Sequence, residues 1–240
     1  MLKKNEPQRT NVALFFFAIL MIICIPFNSF AFLKGDVNND NKIDLVETID
    51  SLQIVAGLKS RSAIKTITVP GDFITIQEAI NASSDGDTIS ISSGTYTESL
   101  SITNKKLIIR GADKNTTIIK SLNINTPTIN INGFSNLEIS DLYMREGQNG
   151  LRISQSAVII NNCNIQYNND GIEYGIHSII NIDNCIISNN LERGIDIGSH
   201  CSMAIMNSTV SNNAENGISL EGVSSLVFGN CVINSNSGAG

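Results

Sequence analysis

The feature that most constrains this chain is a repeat. Gly150-Leu151-Arg152-Ile153 returns as Gly171-Ile172-Glu173-Tyr174, Gly194-Ile195-Asp196-Ile197 and Gly217-Ile218-Ser219-Leu220, at intervals of 21, 23 and 23 residues. A second landmark keeps step: Asn162-Cys163, Asn184-Cys185, Asn207-Ser208 and Asn230-Cys231. Apolar residues precede each Asn by four and two positions (Val158/Ile160, Ile180/Ile182, Met203/Ile205, Leu226/Phe228), and Ile165, Ile187, Val210 and Ile233 follow. Upstream, Leu137, Ile139, Asp141 and Met144 fit the same frame. Self-similarity at a fixed period of this length is the mark of a solenoid.

Each period holds three short alternating segments separated by Asn, Gly and Ser. Alternation at period two makes strands, and three strands in about 22 residues make one coil. The predicted fold is therefore all-β: a right-handed parallel β-helix, three strands per coil of 21–23 residues, with like side chains stacked about 4.8 Å apart. Asn162, Asn184, Asn207 and Asn230 are expected to form a buried ladder, each amide bonding to the coil above or below. The Cys163, Cys185, Ser208, Cys231 column reads as small buried packing, because parallel, in-register Cβ vectors make a disulfide awkward.

Composition agrees with a core of stacked aliphatics. Trp is absent, and six of the nine Phe lie before residue 33. Net charge is −6; removing Lys3, Lys4, Arg9 and Glu6 leaves 13 basic against 21 acidic residues, a net −8. That sign argues against nucleic acid or an anionic membrane surface as partner.

Lys3, Lys4 and Arg9 precede an apolar run from Val12 to Ile25, broken by Pro26 and followed by Ser29-Phe30-Ala31. As a helix the run reaches about 21 Å, short of the ~30 Å hydrocarbon layer. Residues 1–31 read as a secretory signal peptide cut after Ala31, giving a secreted or periplasmic product with no later membrane span.

Residues 32–60 read as a separate calcium segment. In Asp36-Val37-Asn38-Asn39-Asp40-Asn41-Lys42-Ile43-Asp44-Leu45-Val46-Glu47, oxygen donors fall at loop positions 1, 3, 5, 9 and 12, the spacing that surrounds a Ca2+ ion. Asp36, Asn38 and Asp40 would each give a side-chain oxygen and Lys42 its carbonyl. Asp44 would act directly or through water, and Glu47 with both oxygens. Leu45, Ile49, Leu52, Ile54 and Val55 then recur at helical spacing until Gly57. The loop resembles an EF-hand, and with its exit helix it looks like one repeat of a dockerin-type module. Asn41 stands where Gly is usual, and Asn tolerates that left-handed turn. Dockerins pair two repeats to grip a cohesin; with one repeat, cohesin docking is not expected.

The solenoid domain is assigned to 61–240. Ile76, Ala79 and Ile80 share one helical face, which predicts a capping helix at about 74–82, then strands at 88–92, 99–102 and 107–110. Phe73-Ile74-Thr75-Ile76-Gln77-Glu78-Ala79-Ile80, Asp85-Gly86-Asp87-Thr88, Gly94-Thr95-Tyr96 and Leu107-Ile108-Ile109-Arg110-Gly111 resemble the opening of pectin-lyase-like β-helix proteins. The resemblance covers roughly 67–240. That superfamily includes pectin methylesterases and polysaccharide lyases, and its enzymes work on an exposed strand face. The chain ends at Gly240 where another strand should begin, so a C-terminally truncated solenoid is expected.

On that face the outward column after the repeat Gly holds Arg152, Glu173, Asp196 and Ser219. Glu173 and Asp196 one coil apart could divide acid and base roles or share a cation, and Arg152 could orient an acidic sugar. They are the candidate catalytic residues. Methylesterase signatures are mostly missing: Tyr167-Asn168-Asn169-Asp170 matches its Gln-Asp coil at Asp170 alone. The polygalacturonase set is not present. His177 and His200 occupy equivalent positions and should stack, where a transition metal or a plain surface turn would each account for them. Three readings stay open. One is a non-catalytic extracellular β-helix that binds polysaccharide or a cell-surface glycan, or serves as an adhesive module. A second is a polysaccharide lyase, hydrolase or esterase with catalytic coils partly beyond Gly240. The third is a periplasmic assembly or carrier protein of the same fold.

Overall fold

In the computed structural model the described residues are 63–222 and 225–238. The expected leader, the expected calcium loop at 36–47 and its expected exit helix lie outside them. Ser62–Gly240 forms one compact unit.

This unit is a right-handed parallel β-helix of about seven turns. Its strands form three parallel sheets of eight, seven and six strands, here sheets 1, 2 and 3. The chain visits them in rotation: Ala157–Asn161 in sheet 1, Asn164–Gln166 in sheet 2, Asp170–Tyr174 in sheet 3, then Ile179–Asp183 back in sheet 1. The sequence repeat sets the register. Leu137, Val158, Ile180, Met203 and Leu226 are Cα partners in sheet 1. Ile165, Ile187, Val210 and Ile233 are partners in sheet 2. Leu151, Ile172, Ile195 and Ile218 are partners in sheet 3. Most of these side chains are buried, so each row runs as an aliphatic column through the core. Burying one such Ile contributes about 2–3 kcal/mol, and stacking repeats that gain coil after coil.

The helix spans Ile76–Ala82 and buries Ile76, Ala79 and Ile80 against the first coils. It starts later than 74 because Thr75 is its N-cap, in a reciprocal capping box with Glu78. The Glu98 carboxylate accepts from the free Ile76 and Gln77 N–H groups, at 3.0 Å each. Three expected strands appear as Thr88–Ile91, Leu100–Thr103 and Lys106–Gly111. A fourth, Gly94–Thr97, was not readable as a strand because its sequence GTYT has no apolar alternation.

The Asn ladder is corrected. Asn184, Asn207 and Asn230 are exposed, and with Asn162 they sit at φ 48–53° on the turn between sheets 1 and 2. Their amides do link coils, as in Asn184 Nδ2 to Asn162 Oδ1 at 3.1 Å and Asn230 Nδ2 to Asn207 Oδ1 at 2.8 Å, but along the outside. The internal ladder runs through Asn168, Asn190, Asn213 and Asn236. Each Oδ1 of the later three accepts the backbone N–H and the side-chain amide of the Asn one coil back. Both columns share one period, and only the corner between sheets 2 and 3 turns its Asn inward.

The four described cysteines are free thiols. Cys163 and Cys185 stack, the Cys163 N–H donating to Cys185 Sγ at 3.5 Å. Burial pushes the Cys163 thiol well up, which keeps it protonated and unreactive.

Candidate functional site

In sheet 3 alternate residues point inward, and the residue between them faces out. This leaves a polar column of Ser101, Asn130, Arg152, Glu173, Asp196 and Ser219, each in register with the next. The structure thus brings Arg152, Glu173 and Asp196 side by side on consecutive coils. Exposure falls along the row, with side chains 51%, 34% and 19% accessible.

Two further charged residues join from the preceding corner. Asp170 and Arg193 each stand directly before a repeat Gly, one coil apart. Asp170 Oδ1 accepts from the Arg193 backbone N–H at 3.0 Å and from Nε at 3.1 Å, while Oδ2 accepts from NH2 at 3.3 Å. The same guanidinium reaches Asp196 Oδ2 through NH1 at 2.6 Å. One arginine therefore clamps two carboxylates, with Asp170 almost fully buried. In the coil below, Asn149 is the register partner of Asp170; it is 1% exposed, and neither polar atom of its side chain has a hydrogen-bond partner.

The electrostatics follow from this packing. Burial pushes the Asp196 carboxyl above its ordinary value, with Asp170 and Glu221 adding to the rise and Arg193 opposing it. Burial would lower the Arg193 guanidinium, but Asp170, Asp196 and Glu192 more than offset it. Glu173 has its own cation, Arg152 Nε at 3.6 Å. Each carboxylate of the Glu173/Asp196 row thus carries a guanidinium. The sequence marked the outward column but not Arg193, because a residue just before a repeat Gly reads as turn. The available signal was the spacing of Asp170 and Arg193, equal to that of their glycines.

Replacing Arg193 by Ala should be costly in a pH-dependent way. Without the clamp Asp170 and Asp196 are left as uncompensated charges, and the Asp196 carboxyl, already raised by burial, loses the cation that opposes the rise. A carboxyl raised on folding costs stability above its unfolded value, so the deficit should be largest at neutral pH, about 3 kcal/mol. It should shrink as pH falls toward about 4 and the Asp196 carboxyl takes up a proton. Urea denaturation at pH 7 and pH 4.5 measures this; an equal deficit at both would contradict the clamp.

Elsewhere, His177 and His200 stack with ring centroids 5.6 Å apart, on left-handed turn residues leading from sheet 3 to sheet 1. Among the described residues, no group of three or more His, Cys, Asp or Glu stands close enough to hold a metal ion. No described helix is long and apolar enough to cross a membrane.

The family model of the right handed beta helix region matches residues 107–240, more than half of the chain. The chain belongs to that family. No curated protein matches this β-helix chain. Among solved structures, it is similar to a pectin methylesterase crystallised with a hexasaccharide, at 17% identity and a TM-score of 0.52, covering 64% of this chain and 56% of that one. It is also similar to pectin methylesterase PemA from Erwinia chrysanthemi, at 17% identity and a TM-score of 0.52, over 75% of this chain and 68% of that one. The chain thus spans little more than half the length of the first of these enzymes. At such identity the likeness is one of fold.

Proposed function

We propose that this β-helix binds an extracellular polysaccharide along the outer face of sheet 3, with the half-exposed Arg152, on the face that the Asp170–Arg193–Asp196 clamp holds in place, as its contact with acidic sugar. The observation that carries the reading is the ion-paired row itself. A flat strand face with coils at about 4.8 Å offers regularly spaced donors to an extended chain. Guanidinium groups are suited to carboxylate recognition. Support also comes from the fold shared with a pectin methylesterase crystallised with a hexasaccharide. Pairing by Arg152 and Arg193 favours binding over turnover, since each carboxylate of the row is already engaged by a guanidinium. Calorimetry with polygalacturonate tests this: the wild type should bind, and Arg152→Gln with Arg193→Gln should weaken binding at least tenfold. Equal affinity in the double variant would sink the proposal.

One observation favours a second reading, a polysaccharide-processing enzyme. The Asp196 carboxyl is raised in the direction a proton donor needs, and Glu173 stands one coil away as its partner. Release of unsaturated or reducing ends, or of methanol, from pectin by the wild type and not by Glu173→Ala/Asp196→Ala would establish that reading.

The N-terminal residues extend the proposal. Export through residues 1–31 would place the protein with extracellular glycans, in the periplasm or outside the cell. Asp36, Asn38, Asp40, Lys42, Asp44 and Glu47 would hold Ca2+. Asp36→Ala with Glu47→Ala should abolish one equivalent of Ca2+ uptake by calorimetry and leave the β-helix circular dichroism unchanged. Equal uptake would refute the loop assignment.

A further inference from the structure

Sheet 2 carries a second constellation, on a different face from the sheet 3 row. Lys120 and Arg145 are register partners on its outer surface. Glu146, next in the chain, is shared between them: Lys120 Nζ to Oε2 and Arg145 NH2 to Oε1 are both 2.5 Å. The Arg145 guanidinium lies 5.7 Å from the ring centroid of Tyr143 and 6.0 Å from that of Tyr167, within cation–π range of both. Tyr167 is half exposed. Beside Tyr143 in the same column stands Asn164. Its Nδ2 donates to the Lys114 carbonyl at 3.2 Å and Asn115 Oδ1 at 3.3 Å. Both partners are acceptors, which fixes the amide orientation and aims Oδ1 away from them. That oxygen is buried and has no donor, in a residue 7% exposed.

An unsatisfied buried acceptor costs free energy until a donor reaches it. Its residue is the register partner of Tyr143, on the sheet that also carries the Lys120–Arg145–Glu146 cluster of one net positive charge, in a chain of net −6. We propose that this face of sheet 2 is a second saccharide site, taking an acidic sugar residue: the ring stacks on the tyrosines, a hydroxyl donates to Asn164 Oδ1, and the carboxylate meets Lys120 and Arg145. The ligand class rests on the polysaccharide reading above; the place does not.

The test is calorimetry on the full chain with hexagalacturonate and, as the neutral counterpart, cellohexaose. Hexagalacturonate should still bind the Arg193→Gln variant, in which the sheet 3 clamp is broken. In that background Tyr167→Ala and Arg145→Gln should each weaken binding at least tenfold, as should exchange for cellohexaose. Unchanged affinity in Tyr167→Ala, equal binding of cellohexaose, or loss of all binding with Arg193→Gln alone would overturn the sheet 2 site. That last outcome would leave the sheet 3 reading standing, whereas binding that ignores Arg152 and Arg193 but needs Tyr167 would do the reverse.

Discussion

Replacing Gly194 with alanine should destabilise the solenoid by about 3 kcal/mol or more, at the upper end of what overpacking costs. A Cβ at Gly194 would lie 2.5 Å from the Gly217 carbonyl oxygen and 2.7 Å from both Asn213 Nδ2 and Val210 Cγ1. None of these can retreat cheaply. The Gly217 carbonyl accepts the Ile195 N–H in the coil-to-coil ladder, Asn213 belongs to the buried amide column, and Val210 is core. The same collision recurs at Gly171, where the nearest atom is the Gly194 carbonyl oxygen. Glycine recurs here because the next coil and the inward Asn occupy the space of a side chain. Gly175 is the matched control: its nearest neighbour would be Ser154 Oγ at 3.6 Å, an ordinary contact. Urea midpoints should fall steeply for Gly194→Ala and barely move for Gly175→Ala.

Asn190→Ala should cost about 4 kcal/mol, because it strips partners from several buried groups at once. Asn190 is 2% exposed. Its Oδ1 accepts the Asn168 N–H at 3.1 Å and Asn168 Nδ2 at 3.3 Å, while its Nδ2 donates to the Ile165 carbonyl at 3.4 Å and Asn213 Oδ1 at 2.9 Å. Alanine offers none of these, and water has no route to a buried corner. The outer column provides the contrast. Asn184→Gly keeps the freedom needed at φ 52° and loses an exposed amide contact, so it should cost less than about 1 kcal/mol. Comparable losses at Asn190 and Asn184 would show that the internal ladder is not what holds the corner.

These two cases mark how far the sequence could be read. Rows such as Leu151, Ile172, Ile195 and Ile218 were legible because alternation and period fix both face and register. The repeat glycines were legible as landmarks but not in their cause, since close approach depends on which Asn turns inward. Two Asn columns with one period offer no such choice in sequence; the left-handed residue before Asn168 and Asn190 decides it in the fold. At the site, the offset from each Gly placed Arg152, Glu173 and Asp196 together. Arg193 escaped because its partners lie on either side of it in space, one a coil back and one three residues on. The niche at Asn164 was invisible for a similar reason: its amide is held by a loop 49 and 50 residues earlier.

The central claim is that sheet 3 presents a face for an acidic polysaccharide, and hydrogen–deuterium exchange with saturating hexagalacturonate tests it most directly. Slower exchange should appear in the strands Asn149–Ile153, Asp170–Tyr174 and Ile195–Ile197, and vanish in Arg152→Gln/Arg193→Gln. Exchange unaltered by the saccharide in these three strands, at concentrations where calorimetry shows it bound, would contradict the claim.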